Sequence, residues 1–173
     1  MEADIMTQTK AQDETARLIT YLFDQHYHPI CAYLYRLVDD WELANDLVQE
    51  TYLRLFQKRS SLAEVQNQRA WVYRIASNVA FDALKRRNQF TWLPWLALRR
   101  SQPAQADSAE AIIEQTSIEA ALSHLPAKYR APLLLYSYYG FSTQEISETL
   151  GISVGAVKTR LYRARELFKE VYG

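Results

Sequence analysis

A chain of 173 residues, 49% hydrophobic and 23% charged, has room for one medium domain or two small ones and is too apolar for wholesale disorder. Four glycines and few alternating runs favour an all-α fold. The net charge of zero argues against a generic polyanion binder, but five Lys/Arg against one Asp over 82–100 and five against two Glu over 153–173, separated by four acids and no Lys or Arg over 101–124, suggest two contact points on nucleic acid.

Residues 1–16 are polar and read as a frayed tail. From Arg17 to about Val38, Leu18, Tyr21, Leu22, Ile30, Tyr33, Leu34 and Leu37 recur at helical spacing, with Pro29 marking a break or kink. Cys31 has no second cysteine to pair with and sits in this apolar run, so it reads as a reduced core thiol. It does not form a metal-ligand spacing with His26 and His28, and no metal or cofactor is expected. Asp39 or Asp40 caps a second helix running to about Lys58, and Asp39 with Glu42 has capping-box spacing. On this helix Glu42, Asp46, Gln49 and Glu50 share an arc of about 100°, while Ala44, Leu47, Val48, Thr51 and Leu55 fill the other side. An acidic arc repels DNA but suits a basic protein partner; alone, it would also read as a solvated face.

Residues 59–68 read as a loop with at most one helical turn, and a third long helix spans about 69–87. Its inner side carries Val72, Ala76, Val79, Ala80 and Ala83. The other side carries Trp71, Arg74, Asn78 and Lys85, followed by Arg86 and Arg87. Aromatic and cationic residues on one stripe suit a single-strand platform, where bases stack and phosphates pair; Trp71 as simple core is the alternative.

Helical periodicity lapses over 88–111. Trp92, Leu93, Trp95, Leu96 and Leu98 surround Pro94, and a small polar stretch of linker composition follows. That apolar segment extends the first domain's core, packs between domains, or marks a contact site for a partner. A helix returns over about 112–124, stops at Pro126 and resumes through Tyr139, where Gly140 supplies a C-cap.

Ser142-Thr143-Gln144-Glu145 has capping-box spacing and opens a helix that ends at Leu150, with Ile146 and Leu150 on its inner face. Gly151 turns the chain, and Ser153 can cap a last helix over about 154–171. Helix, glycine turn, helix is the helix-turn-helix layout, whose second helix enters the major groove. On that second helix Val157, Leu161, Ala164 and Phe168 fall within about 60° of each other as the buried stripe. Gly155, Lys158, Thr159, Tyr162, Arg163 and Glu166 lie opposite, a basic, hydroxylated and aromatic face suited to bases and phosphates.

Three strings, DLVQETYLRLF (46–56), RAWVYRIASNVAFDALKRR (69–87) and the stretch 125–168 from LPAKYR to ARELF, resemble extracytoplasmic-function (ECF) sigma factors of the sigma-70 family, in the family's order and spacing. The resemblance implies two small helical domains joined by a linker: region 2 over 17–90, a linker over 91–111, and region 4 over 112–173. It implies that region 2 binds core RNA polymerase at the clamp of the β′ subunit and melts the −10 promoter element, while region 4 reads the −35 element. By position, Asp46, Gln49 and Glu50 fall on the clamp-binding helix. Asn67, Gln68 and Arg69 fall on the loop that captures a flipped −10 base. Trp71, Asn78 and Arg86 fall on melting-helix signature positions, and Lys158, Thr159, Tyr162 and Arg163 on the −35 reading positions. Ser147 replaces a usual alanine, and the loop SSLAEVQNQ is less typical of the family.

An anti-sigma factor is an implied partner, and no small-molecule substrate is. A helix-turn-helix regulator that never docks on polymerase is the runner-up, but it leaves the acidic arc and the Trp71 stripe unexplained. No phosphate loop, catalytic triad order or metal cluster suggests an enzyme. The N-terminus lacks an apolar signal core and no run approaches about 18 apolar residues, so a cytoplasmic protein is expected.

Overall fold

The structure, a computed structural model, describes residues 2–90 and 109–172. The Trp92–Leu98 segment falls outside them. The described residues form seven α-helices and one short 3₁₀ helix: α1 Glu2–Val38, α2 Trp41–Gln57, the 3₁₀ helix Arg59–Glu64, α3 Gln68–Phe90, α4 Ala109–His124, α5 Ala127–Ser137, α6 Thr143–Leu150 and α7 Val154–Tyr172. The all-α reading is correct.

Two boundaries near the N-terminus differ from the sequence reading. The helix begins at Glu2, through the polar stretch read as a frayed tail, because Ala, Glu, Gln and Lys there are good helix formers. Pro29 does not break it. A proline forfeits one N–H donor, and burial of Ile30, Tyr33, Leu34 and Leu37, on a helix packed against α2 and α3, outweighs that loss. Asp39 takes a left-handed backbone (φ 54°) at the end of α1, so Asp40 is the α2 cap, its Oδ1 accepting from Leu43 N at 3.0 Å. The Asp39–Glu42 capping box is thereby replaced by a single-residue cap at Asp40.

Helices α1, α2 and α3 pack as one bundle. Ala44, Leu47, Val48, Thr51 and Leu55 of α2 are buried, as are Val72, Ala76, Val79, Ala80 and Ala83 of α3, the inner faces expected from a 3.6-residue period. Small residues on α3 let its backbone approach α1. Tyr33 fills the remaining space, its hydroxyl 2.7 Å from Ser77 Oγ, which satisfies a polar tip at the centre of the core. At the rim Arg54 bridges Glu50 (2.7 Å) and Asp82 (3.5 Å), and Arg87 meets Asp40 at 3.3 Å, tying α2 to α3.

Helices α4 to α7 form the second unit around Leu134, Leu135, Ile146, Val157, Leu161 and Ala164. Ser142 and Glu145 make the reciprocal capping box: Glu145 N donates to Ser142 Oγ at 3.2 Å, and Ser142 N to Glu145 Oε2 at 2.8 Å. Gly151 closes α6 at φ 64°, where a side chain would be strained. Ser153 Oγ then accepts from Ala156 N at 3.2 Å, capping α7.

Arg130 joins the two units and is only 7% exposed. Its guanidinium donates to the carbonyls of Leu125 (2.9 and 3.1 Å), Ser123, Leu37 (3.1 Å) and Arg36 (3.3 Å), the C-terminal ends of α4 and α1. A planar, five-donor group is matched to a cluster of orphan helix-end carbonyls. Replacing it with methionine strands those carbonyls, and each buried unsatisfied group costs ~1–3 kcal/mol. Arg130→Met is therefore expected to lower stability by about 3 kcal/mol or more, read as a fall in the urea midpoint at unchanged slope. An unchanged midpoint would mean that the carbonyls find other donors.

Candidate nucleic-acid and partner interface

On α7 the structure sorts the residues as the wheel does. Val157, Leu161 and Ala164 are buried and Phe168 half-buried, while Lys158, Thr159, Tyr162 and Arg163 all face solvent. Tyr162, at 61% exposed, is a large aromatic held out of the core with no partner ring among the described residues. Thr159 Oγ1 donates to Gly155 O at 3.0 Å, fixing its rotamer. The result is a rigid helix presenting two cations, a hydroxyl and a phenol on one side. Its angle is set by a capped scaffold helix and a glycine turn.

On α2, Glu42, Asp46 and Gln49 are exposed, and Glu50 is half-buried in its pair with Arg54. The sequence reading missed Leu53. It lies on the same arc, about 20° from Asp46, and is 52% exposed. An exposed leucine on the same face as Asp46, Gln49 and Glu50 has the composition of a protein contact, an apolar centre beside a charged rim. The signal was available: a leucine one turn beyond Gln49 breaks an otherwise polar stripe.

On α3, Arg74, Asn78, Lys85 and Arg86 are exposed and Trp71 is half-buried. Trp71 packs against the core and also borders a cleft of about 290 Å³ lined by Val65, Gln66, Asn67, Ala70, Arg74 and Glu148. Asn67 begins the helix, its Oδ1 accepting from Ala70 N at 2.9 Å. Gln68 is half-buried beside it.

Asn67 and Arg69 have partners that spacing could not foretell. Asn67 Nδ2 donates to Glu145 Oε1 at 3.1 Å, 78 residues away. The Arg69 guanidinium donates to Tyr139 O and lies 4.4 Å from the Phe141 ring centroid. Glu145 is held below the usual carboxylate range, chiefly by the Ser142 backbone and hydroxyl, with help from Asn67 and Arg69. On the other side of Arg69, a cavity of about 330 Å³ is lined by His26, Pro29, Ala32, Arg36, Tyr73, Tyr138 and Tyr139. Burial, and then the Arg69 charge, depress the His26 pKa below the ordinary histidine value.

No group of three or more His, Cys, Asp or Glu among the described residues is placed to hold a metal. No described helix is long and apolar enough to cross a membrane.

A capped helix-turn-helix packed against a helical bundle that bears a Trp–Arg–Asn stripe defines the class, an all-α chain of the helix-turn-helix type. Comparison with known proteins narrows it. Residues 22–90 match the family described as Sigma-70 region 2, and residues 115–168 match Sigma-70, region 4. The chain is 34% identical over 152 residues to the ECF RNA polymerase sigma factor SigL of Mycobacterium tuberculosis, covering 86% of this chain and 85% of that one. It is 30% identical over 151 residues to the RNA polymerase sigma factor SigZ of Bacillus subtilis, covering 87% and 84%. The fold is that of the sigma factor RpoE solved with the anti-sigma factor NepR from Bartonella quintana (TM-score 0.74, 24% identity, 88% of this chain and 94% of that one). It is likewise that of CnrH solved with the cytosolic domain of CnrY (TM-score 0.68, 22% identity, 94% and 92%). The chain belongs to the ECF sigma factors of the sigma-70 family.

Proposed function

We propose that this sigma factor recruits core RNA polymerase through the α2 arc and reads its promoter at two separate places. Glu42, Asp46, Gln49, Glu50 and Leu53 dock on the clamp of the β′ subunit. Lys158, Thr159, Tyr162 and Arg163 read the −35 element as duplex. Asn67, Gln68 and Arg69 with Trp71, Arg74, Asn78, Lys85 and Arg86 capture and hold the unpaired −10 strand. The working units are region 2 over 17–90 and region 4 over 112–173, with 91–111 as the linker. The protein acts in the cytoplasm, as a regulator and not an enzyme, without a cofactor, and is held in check by an anti-sigma factor. A protein of the same fold solved with an anti-sigma factor supports that last point.

The observation that carries this reading is the coexistence, on one chain, of a solvent-facing basic helix in a capped helix-turn-helix and an exposed Leu53 on the acidic face of α2. A regulator acting without polymerase needs only the first. Co-migration with purified core on a sizing column separates the two readings: a sigma factor shifts with core, and a free-standing regulator does not.

The melting role is tested at Trp71. Stacking of a base on an aromatic ring is worth ~1–3 kcal/mol. Trp71→Ala should slow open-complex formation roughly tenfold or more, and a template already unpaired across the −10 element should restore it. Circular dichroism must show the variant folded. A folded variant that the unpaired template fails to rescue contradicts the role.

A further inference from the structure

The cavity of about 330 Å³ between α1, α3 and the end of α5 has the volume of a site for a small organic molecule. Its chemistry departs from that of a chain whose net charge is zero. Arg36, Arg69 and His26 supply hydrogen-bond donors and positive charge, Tyr73, Tyr138 and Tyr139 supply rings, and no Asp or Glu lines it. Arg36 Cζ lies 4.9 Å from the Tyr138 ring centroid and Arg69 Cζ 5.9 Å from that of Tyr73. Each guanidinium is therefore seated over an aromatic face.

Positive charge is in surplus there. Burial pushes the Tyr73 and Tyr139 hydroxyls above the usual phenol range, so neither adds a negative charge. The depressed His26 pKa, caused by burial and then by Arg69, reports the same surplus. Arg36 Nε is buried and has no hydrogen-bond partner among the described residues, which is rare for a buried donor. The carboxylate that acts on Arg69 is Glu145, itself engaged by Ser142 N and Asn67 Nδ2. Tyr139 O accepts from Arg69, and a guanidinium has further N–H groups to offer.

We propose that this cavity binds a small phosphate monoester carrying a flat ring, the class of a nucleoside 5′-monophosphate, its phosphate held by Arg36 and Arg69 and its ring by the tyrosines. A phosphate monoester carries a charge of about −1.5 to −2, which matches two guanidiniums where a single carboxylate matches one. The planar fork of arginine also fits phosphate oxygens in pairs. His26 adds a ring nitrogen, and the exposed Tyr138 ring stands free to stack on the ligand's base. Neither Trp71 nor the Lys158–Arg163 face of α7 lines the cavity, so the site is separate from both. Because three helices build it, the unfolded chain has no such site, and the ligand should raise the melting temperature.

The test uses the full chain without polymerase and AMP, GMP, CMP and UMP, each alone. Calorimetric titration gives affinity and stoichiometry, and a thermal scan gives the melting shift. The matching nucleosides and inorganic phosphate show whether both halves of the ligand are needed. Arg36→Gln removes a cavity charge and keeps the backbone carbonyl that Arg130 requires. Tyr138→Ala removes an exposed ring and leaves the core untouched. Trp71→Ala and Lys158→Ala remove groups from the two nucleic-acid surfaces, the competing places for a nucleotide to settle. Circular dichroism confirms that each variant is folded.

At least one mononucleotide should bind once per chain and raise the melting temperature, about tenfold or more tighter than its nucleoside or inorganic phosphate. Arg36→Gln and Tyr138→Ala should each weaken it by about tenfold or more, while Trp71→Ala and Lys158→Ala leave it unchanged. Should Arg36→Gln not fold, Tyr138→Ala decides alone. Absence of binding by all of the mononucleotides at millimolar concentration overturns the proposal. So does binding that survives the folded cavity variants, or binding that needs no phosphate. Loss of binding in Trp71→Ala or Lys158→Ala also overturns it, by placing the nucleotide on a nucleic-acid surface.

Discussion

Asp46→Lys combined with Glu50→Lys is expected to weaken binding to core polymerase by a hundredfold or more and to silence transcription, while the isolated protein stays folded. Like charges brought together across an interface cost several kcal/mol, and each 1.4 kcal/mol is tenfold in affinity. Asp46 is exposed, so its reversal bears on stability by less than ~1 kcal/mol. Glu50 differs: it holds Arg54 at 2.7 Å, and a lysine there would face that guanidinium. Asp46→Lys alone is the cleaner variant. Leu53→Ser complements it, removing the apolar centre without altering charge. Titration against labelled core measures both. Wild-type affinity in Asp46→Lys and Leu53→Ser would place the docking face elsewhere on the molecule.

Lys158→Ala and Arg163→Ala should each reduce binding to the cognate −35 duplex by ~1–3 kcal/mol, or roughly 5- to 150-fold, where the residue contacts a base. A residue that meets only phosphate would weaken all sequences alike and reduce the salt slope by about one. Both side chains stand in solvent on a helix whose buried face is Val157, Leu161 and Ala164, so neither change should move the unfolding midpoint. Anisotropy on a set of single-base −35 variants, at two salt concentrations, separates base reading from phosphate contact. If sequence preference and affinity both survive, α7 does not read the element.

The faces of α2, α3 and α7 were legible in the sequence because helical periodicity is local: a wheel needs only the residues on it. The same holds for the Ser142–Glu145 box and the Gly151 turn, where four or five consecutive residues carry the geometry. What escaped was non-local. Asn67 reads as a loop residue until Glu145 is brought to it, and Arg130 looks misplaced beside the apolar string APLLLYS until four carbonyls from α1, α4 and the turn after α4 converge on it. Pro29 failed as a break signal for a related reason, since the tertiary burial around it decides and local propensity does not. Leu53 was legible too, since its place on the acidic arc of α2 follows from the same wheel.

The measurement that bears most directly on the whole account is run-off transcription with purified core polymerase on a promoter library. With this protein added, core should start at discrete positions on a subset of templates that share a −35 and a −10 sequence, and core alone should not use those positions. Lys158→Ala with Arg163→Ala should remove the shared −35 preference. Start sites identical with and without the protein, or duplex binding with no transcripts from core, would contradict it.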